Sequence, residues 1–363
     1  MTEGSPLAAW LRLTLISGIG GETQRKLLTA FGLPEAIFSA GRSAVRGVIG
    51  DKAASLLLDT DNHAAVTAAL NWSSAPGQYI ITLADPEYPQ YLLQIPDPPA
   101  LIYVRGRTDL LNRPALAIVG SRNATPQGIQ NAERFAATFA DAGLVIASGL
   151  ALGIDGAAHR GTLAAGGNTV AFIGTGIDRI YPARNRELAL EIGAKGTIIS
   201  EFPLATPVSA ANFPRRNRLI SGFSRGVLVV EAAVESGSLI TARLAAEQGR
   251  EVFAIPGSIH SPQSRGCHKL IKQGAKLVET AQDVLEELRW TTSGTTRAAP
   301  PLSKDEPAGA LLSAMGFEPC GVDELAGRCG LTAEALSVML LHLELEGRVA
   351  SMPGGRYQQL SDA

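Results

Sequence analysis

The chain has 363 residues, of which 45% are apolar and 18% charged, as expected for a folded protein of two or three domains. Its formal net charge is −2, so any nucleic-acid binding must come from a local basic patch. Three scattered cysteines exclude a disulfide framework and a four-cysteine zinc site. The N-terminus is a poor signal peptide and no apolar run approaches the ~20 residues that span a bilayer, so we expect a cytoplasmic protein without membrane contact.

Residues 1–75 show helical periodicity, with two apolar segments joined by the glycine-rich turn Gly18–Gly21. We expect a helical domain here, similar to SAM or helix-hairpin-helix domains. Such a turn can offer backbone amides to a DNA phosphate, and Arg25 and Lys26 lie nearby. Because one hairpin with two basic residues is a weak signal, a packing or docking role is favoured.

Residues 78–290 form the longest patterned region. Two strand-like runs flank a proline-rich bridge in 78–112, and short apolar strands then alternate with segments of helical length. These strands are "ALAIVG", "GLVIASG", "TVAFIG", "GTIISEFP", "GVLVVEAA" and "EVFAIPG", with "AKLVE" as a candidate seventh. The alternation predicts an α/β fold: an extended Rossmann-like, doubly wound, mostly parallel sheet with helices on both faces.

The C-terminal part of the chain divides into a linker and a small domain. Residues 291–308 are rich in Thr, Ser, Pro and Ala and lack periodicity, which is typical of a linker. Residues 309–363 predict three helices, near 309–315, 322–328 and 332–346, followed by a two-stranded hairpin. This order predicts a winged helix-turn-helix domain.

The predicted strands of the core end in loops of small residues, namely Gly120–Arg122, Ser148–Gly149, Gly174–Gly176 and Pro256–Ser258. Parallel strands gather such loops at one edge of the sheet, where doubly wound proteins bind ligands. After the first strand, Thr125 is a candidate helix cap before Pro126, and "VESGSLITA" offers another Gly-Ser turn into a helix. Backbone amides, a helix N-terminus and Arg122 together suit a phosphate.

Known cofactor and catalytic motifs are missing from the sequence. The first turn reads "GSRNAT" rather than G-x-G-x-x-G, and no phosphate-binding P-loop motif occurs, so we predict no cofactor. His159 is the only histidine of the core before His260. Asp155 could be catalytic or a helix cap, whereas Glu231, at a strand end, could be catalytic or orient an arginine. No convincing set of nucleophile, base and acid emerges.

The stretch "NFPRRNRLISGFSRG" concentrates arginines where a helix is expected to begin at Pro214 and run to about Gly222. Cations in a first turn oppose the helix dipole, which suggests that an anion binds there. We expect Arg215, Arg216 and Arg218 to meet Arg122 at one sheet edge. With Phe213 as a stacking platform, this pattern favours single-stranded nucleic acid. A mononucleotide ligand, or internal ion pairs with Glu201 or Glu231, are the alternatives.

Seven motifs occur in an order that resembles the DNA processing protein A family, also called DprA or Smf. They span about half the chain and read "GSR", "SGLALGIDGAAH", "GTGIDRIYPARN", "SEFP", "FPRRNRLISG", "ESGSLITA" and "PGSI". The resemblance implies a homodimeric, sequence-independent single-stranded DNA-binding protein that protects incoming DNA in natural transformation and helps load the recombinase RecA. It is not expected to be an enzyme.

The resemblance also implies roles for individual residues. Gly120, Ser121 and Arg122 would hold phosphate, Phe213 would stack a base, and Arg216, Asn217 and Arg218 would complete the pocket. The whole predicted DNA-binding set is Gly120, Ser121, Arg122, Ser148, Gly149, Phe213, Arg215, Arg216, Asn217, Arg218, Gly237 and Ser238.

The sequence departs from the family pattern in three places. Ala210 stands where some members carry a lysine, so one phosphate contact could be absent, and His268 replaces a usual asparagine, for which we expect a structural role. The winged-helix region 309–363 has seven acidic residues against three arginines. Because acidic residues repel phosphate, we expect it to bind protein or tune the dimer rather than to read DNA.

One enzymatic alternative remains open. Nucleoside-monophosphate phosphoribohydrolases resemble this core in using a glycine-rich turn and a glutamate near phosphate. Their "PGGxGT" signature is replaced here by "ESGSLIT", which counts against hydrolysis.

Overall fold

The computed structural model describes residues 5–290 and 307–360. The chain opens with five helices, α1 (Pro6–Thr14), α2 (Gly21–Phe31), α3 (Pro34–Ser39), α4 (Arg42–Asp59) and α5 (His63–Ser73). The side chain of Ser5 caps α1 by accepting a hydrogen bond from the Ala8 amide. Leu13, Leu27 and Leu57 are fully buried in a small core that these helices share. The predicted helical content of this region is therefore observed.

A nine-stranded sheet forms the centre of the molecule. Its strands are β1 (Gln78–Thr82), β2 (Leu101–Gly106), β3 (Ala115–Val119), β4 (Val145–Ser148), β5 (Thr169–Phe172), β6 (Thr197–Ser200), β7 (Gly226–Val229), β8 (Glu251–Ala254) and β9 (Lys276–Leu277). They lie in the order β1-β2-β6-β5-β4-β3-β7-β8-β9. Strands β3 to β9 are parallel, whereas β1 and β2 extend the β6 edge in antiparallel fashion. The predicted mostly parallel sheet is confirmed, and "AKLVE" contributes the short strand β9.

Helices cover both faces of the sheet, as the continuous apolar strands require. They are α6 (Gln90–Leu93), α7 (Pro126–Asp141), α8 (Ile154–Ala164), α9 (Arg186–Lys195), α10 (Asn212–Phe223), α11 (Gly237–Glu247), α12 (Arg265–Lys272) and α13 (Ala281–Glu287). Along β3, Leu116 and Ile118 join the core that contains α7 and α8 residues. Ala117 and Val119 join the opposite core, which includes residues of α10 and α11.

The strand order reverses at β3. From β3 the chain moves through β4 and β5 to β6 on one side, and β7 then returns to pair with the other side of β3. Helix α10 lies in the connection that makes this return. Such a reversal opens a crevice between the carboxyl ends of the two central strands, and ligands of doubly wound proteins bind there.

The C-terminal region folds around its own small core. It contains α14 (Pro307–Met315), β10 (Cys320–Gly321), α15 (Val322–Cys329), α16 (Ala333–Leu345), β11 (Val349–Met352) and β12 (Arg356–Gln359). Gly330 ends α15 in the left-handed conformation with a φ of 66°. The predicted winged-helix pattern is confirmed. Most of the predicted linker 291–308 lies outside the described residues, and its last two residues belong to α14.

None of the described helices is both long and apolar enough to cross a membrane.

His159 is a buried core histidine on α8 rather than a site residue. Its Nδ1 lies 2.6 Å from Thr169 Oγ1, whose hydroxyl donates to the Ile146 carbonyl at 2.7 Å. Thr169 must therefore accept from Nδ1–H, which leaves the His159 Nε2 lone pair without a partner among the described residues. Burial, with smaller effects of Arg216 and Arg160, lowers the pKa of His159 to about 3.

This buried neutral imidazole predicts a pH-dependent stability. Below pH 6.5, the ordinary pKa of histidine, His159 is protonated in the unfolded chain. In the folded chain it stays neutral down to about pH 3. Stability should therefore fall as the pH decreases, by about 1.4 kcal/mol per pH unit from this residue. Urea unfolding of the wild type and of His159→Gln between pH 6.5 and 5 measures the difference, since glutamine does not titrate. Parallel pH profiles of the two proteins would contradict this assignment.

Candidate nucleic-acid interface

A cavity of about 560 Å³ occupies the crevice where the strand order reverses. The loops after β3 and β7 and the first turns of α10 and α11 line it. Eight of the twelve predicted residues contribute to its wall: Gly120, Ser121, Arg122, Phe213, Arg216, Asn217, Gly237 and Ser238. We call it the arginine pocket.

The backbone of the loop after β3 is held by several contacts. A Cβ on Gly120 would lie 2.6 Å from the Ile154 side chain, so the backbone has no room for a larger residue. The Ser121 amide donates to the Glu231 carbonyl at 2.7 Å, and the Ser121 carbonyl accepts from the Ile154 amide at 3.1 Å. Arg122 follows on this anchored turn, and its side chain is exposed at the mouth of the pocket.

Phe213 supplies the aromatic surface of the pocket. The Arg122 guanidinium carbon lies 5.2 Å from its ring centroid, and that of Arg216 lies 6.0 Å away. Tyr181, in the loop after β5, lies beside Phe213 outside the pocket wall, with its ring centroid 5.8 Å from that of Phe213. The ring of Phe213 is half-buried, so part of it is free to stack on a planar group.

Arg216 is a buried cation that holds α10 against the sheet. Its Nη1 donates to the Gly149 carbonyl at 2.5 Å and also to the Phe172 carbonyl, at the ends of β4 and β5. Burial lowers the pKa of Arg216 to about 10, while the negative charge of Asp155 acts in the opposite direction. The guanidinium thus stays charged at neutral pH. Asp155 in turn accepts a hydrogen bond from the Gly149 amide at 3.1 Å.

The start of α11 forms the opposite wall of the pocket. Ser236 caps this helix by accepting from the Ser238 amide at 3.3 Å, and the two hydroxyls lie 2.8 Å apart. Asn217 reaches across from α10 and donates to the Gly237 carbonyl at 3.4 Å. The pocket therefore lies beside the N-terminus of α11, whose partial positive charge favours an anion.

The four arginines do not meet, which corrects the sequence prediction. Arg215 and Arg218 extend to another side of α10, where both donate to Glu201 Oε2, at 3.2 and 2.5 Å. Arg218 also pairs with Asp97 at 3.1 Å. For these two residues the alternative of internal ion pairs is the observed one, so only Arg122 and Arg216 share the pocket.

Three smaller expectations also change. Ser148 does not line the pocket, because its hydroxyl points into the fold and donates to the Ile118 carbonyl at 2.6 Å. Glu231 forms no ion pair with an arginine in residues 5–290 and 307–360. Its carboxylate instead accepts from the Thr125 amide at 2.9 Å and the Thr125 hydroxyl at 2.6 Å at the start of α7. Helix α10 begins at Asn212, two residues before Pro214, so Arg215 lies just beyond its first three residues.

The structure also shows the positions of three further residues that the sequence analysis singled out. Thr125 caps α7 ahead of Pro126, and Gly149 lines a small space behind Phe213 that Tyr181 and Pro182 close. His268 has a structural contact, since its Nε2 lies 2.9 Å from the Gly257 carbonyl. Tyr181 was not predicted as a site residue, because nothing in the local sequence indicates that the loop after β5 folds back onto Phe213.

The chain matches two family models. Residues 79–289 match "DNA recombination-mediator protein A", and residues 295–355 match "DprA winged helix domain". Among curated proteins it is 39% identical to protein Smf of Escherichia coli (strain K12), covering 95% of this chain and 94% of that protein. It is 47% identical to DNA processing protein DprA of Streptococcus pneumoniae, over 58% of this chain and 74% of that protein.

Two solved structures are similar over the core. The X-ray structure of DprA from Streptococcus pneumoniae has a TM-score of 0.70 and 37% identity, covering 78% of this chain and 98% of that chain. A structure of DprA from Helicobacter pylori, titled for its single-stranded DNA binding mode, has a TM-score of 0.53 and 32% identity. It covers 58% of this chain and 95% of that chain. These matches confirm the resemblance drawn from the seven motifs.

Two glycines of the interface provide a matched test of the Arg216 contact. A Cβ on Gly149 would lie 2.6 Å from both Arg216 Nη1 and Asp155 Oδ2, whereas a Cβ on Gly237 would meet no atom within 4 Å. Gly149→Ala should therefore displace the buried pair and cost about 1–3 kcal/mol of unfolding free energy. Gly237→Ala should change it by less than ~1 kcal/mol. Equal urea midpoints for the two variants would show that Arg216 is not held as described.

Proposed function

This chain belongs to the DNA recombination-mediator protein A family, and from that premise we propose that it binds single-stranded DNA in the arginine pocket without sequence preference. One observation carries the proposal: the half-buried ring of Phe213 has the guanidinium carbons of Arg122 and Arg216 at 5.2 and 6.0 Å from its centroid, in the pocket at the strand-order reversal. An aromatic platform beside cations is the arrangement that holds bases and phosphates of a single strand.

The charge distribution supports phosphate as the anion. Arg122 makes no ion pair with any residue that the structure describes, in contrast to Arg215 and Arg218. The anchored turn before it exposes the guanidinium next to the N-terminus of α11. A phosphate there would pair with the Arg122 guanidinium and would be stabilised by the helix dipole of α11.

The chemistry of the wall explains the expected lack of sequence preference. Phe213 offers a ring surface in the wall, and the exposed ring of Tyr181 lies beside it; every base can stack on such rings. Gly120, Gly237 and the serines beside them suit close contact with a sugar–phosphate backbone rather than with the edge of one particular base.

The relatives support the proposal within limits. One structural neighbour is described by its single-stranded DNA binding mode, and the curated relatives are named as DNA processing proteins. For this chain we further propose a homodimer that protects incoming single strands and helps to load RecA. Its winged helix would bind protein, because α16 exposes Val338, Leu341 and Leu345 and carries acidic residues where a DNA reader needs cations.

Binding to a labelled ~30-residue single strand tests the pocket by fluorescence anisotropy. Phe213→Ala should lose about 1–3 kcal/mol of stacking, which corresponds to a 5- to 150-fold weaker Kd. Arg122→Ala should weaken binding and reduce the slope of log K against log salt by about 0.7, the value for one phosphate on a single strand. A duplex of the same sequence should bind more weakly than the single strand.

Two variants control for charge and for loss of a ring. Arg107→Ala removes an arginine that follows β2 at the opposite edge of the sheet, where it pairs with Asp109. Phe317→Ala removes an exposed ring from the winged-helix region. Both should bind like the wild type. Normal binding by Arg122→Ala and Phe213→Ala, or a salt-independent Kd, would sink the proposal.

RecA loading is tested on single strands already coated with a bacterial single-strand-binding protein. The wild type should shorten the lag before RecA hydrolyses ATP, because strands held in the pocket are handed over uncoated. Arg122→Ala should leave the lag unchanged, and Arg107→Ala should shorten it like the wild type. An equally short lag with Arg122→Ala would separate RecA loading from the pocket.

The enzymatic alternative has less support. In the phosphoribohydrolase interpretation a glutamate must face the substrate phosphate, but Glu231 is bound by Thr125 within α7's first turn. Asp155 lies in the wall of the arginine pocket, but it is 6% exposed and accepts from the Gly149 amide beside the Arg216 guanidinium, which favours a structural role for it. Release of free base from purine monophosphates by the wild type, lost in Arg122→Ala, would establish this alternative.

A further inference from the structure

A second cleft of about 630 Å³ lies between the N-terminal helices and the sheet. On one side it is lined by the turn between α1 and α2, and on the other by residues around Glu201 and the arginines that do not enter the arginine pocket. Its volume is within the range of small-molecule sites. The proposed function makes no use of this cleft.

One end of the cleft is suited to an anion. Helix α2 begins after Gly20, which has no side chain to cap it, so its first amides lack the usual partner. Arg25 folds back over this helix start, since a Cβ on Gly21 would lie 3.1 Å from Arg25 Nη1. The Arg25 guanidinium forms no ion pair within the described part of the chain, and the Glu22 carboxylate in the same turn is paired with Lys26 at 2.8 Å. Free amides and a guanidinium at one helix N-terminus favour a phosphate.

The other end contains two buried polar atoms that need a partner. Glu201, whose side chain is 1% exposed, uses Oε2 for both Arg215 and Arg218, and its Oε1 finds no hydrogen-bond partner among residues 5–290 and 307–360. The Tyr103 hydroxyl is likewise unpartnered there. Tyr103 pairs with Ser200 across β2 and β6, so these two groups come from adjacent positions of the sheet. Buried groups of this kind cost stability unless something satisfies them.

The two ends together define a ligand with a phosphate and a group that donates hydrogen bonds. We propose that the cleft is a second nucleotide subsite, in which Arg25 and the α2 amides hold a phosphate while Glu201 Oε1 and the Tyr103 hydroxyl contact the N–H edge of a base. It rests on the proposed function in one respect. Helix α10 separates the two sites by about a helix diameter, ~10 Å, so one strand can cross from the arginine pocket to the cleft.

The same chemistry could come from the bound strand or from a free mononucleotide, so the experiment has two arms. The first measures anisotropy with a labelled 20-residue strand for the wild type, Arg25→Ala and Tyr103→Phe. Lys26→Ala is the matched control, because this neighbouring cation of α2 is exposed and pairs with Glu22 at 2.8 Å. Arg25→Ala should bind 5- to 20-fold more weakly with a salt slope lower by about 0.7, and Lys26→Ala should bind like the wild type.

A strand without bases distinguishes the proposed phosphate contact from the proposed base contact. The loss caused by Arg25→Ala should persist on an abasic strand, since it concerns phosphate. The loss caused by Tyr103→Phe, expected at 3- to 10-fold on the normal strand, should vanish there. Without a ligand, Tyr103→Phe should melt at the same or a higher temperature, because it removes a buried hydroxyl that has no partner. A lower melting temperature together with unchanged binding would assign the hydroxyl a purely structural role and overturn the base contact.

The second arm measures the melting temperature with deoxyadenosine monophosphate in place of DNA. A rise for the wild type and Lys26→Ala that Arg25→Ala lacks, with no effect of Arg25→Ala on strand binding, would identify a free nucleotide as the occupant. If the wild type fails to bind the 20-residue strand, the proposed function fails. The melting temperatures with deoxyadenosine monophosphate then decide by themselves whether the cleft binds a nucleotide. Wild-type behaviour of Arg25→Ala and Tyr103→Phe with both probes would overturn the subsite.

Discussion

The buried guanidinium of Arg216 is the contact on which the arrangement of the interface depends. It ties the start of α10 to the carboxyl ends of β4 and β5 through the Gly149 and Phe172 carbonyls. Asp155 lies close enough to oppose the effect of burial on this guanidinium, so its negative charge helps to keep Arg216 charged. Phe213, one turn earlier, is held over the crevice by this attachment.

The arginines of this region look equivalent in the sequence but have different roles in the structure. Arg216 is bound to carbonyls, and Arg218 is 9% exposed and committed to Glu201 and Asp97. Arg122 lines the arginine pocket and forms no ion pair among the described residues. The basic cluster therefore contributes more to holding α10 than to attracting phosphate, and the conflict between its charges and the helix dipole is resolved largely inside the protein.

Local patterns predicted much of the fold, because buried parallel strands are apolar along their whole length and small residues mark their ends. The strands, the Thr125 cap and the carboxyl edge could thus be predicted from segments of five to ten residues. The partners of individual side chains could not, since they depend on packing between distant segments. The sequence left Glu201 and Glu231 as alternative partners of the arginines, and the fold shows that the Glu201 carboxylate meets Arg215 and Arg218 whereas Glu231 accepts from Thr125.

A pocket with a single uncommitted arginine can neutralise few phosphates, so its contribution to affinity is limited by electrostatics. Under the proposed function, tight binding by a chain of net charge −2 requires several modest sites acting on one strand. Linking sites makes each later contact intramolecular, and the gain depends on whether the strand can span the separation. A strand is flexible enough to follow α10 from the arginine pocket to the cleft beside Arg25, and in the proposed homodimer to continue to the other protomer. The affinity for a strand should therefore grow with its length until every site is filled. It should not depend on the base sequence, because each site accepts any base.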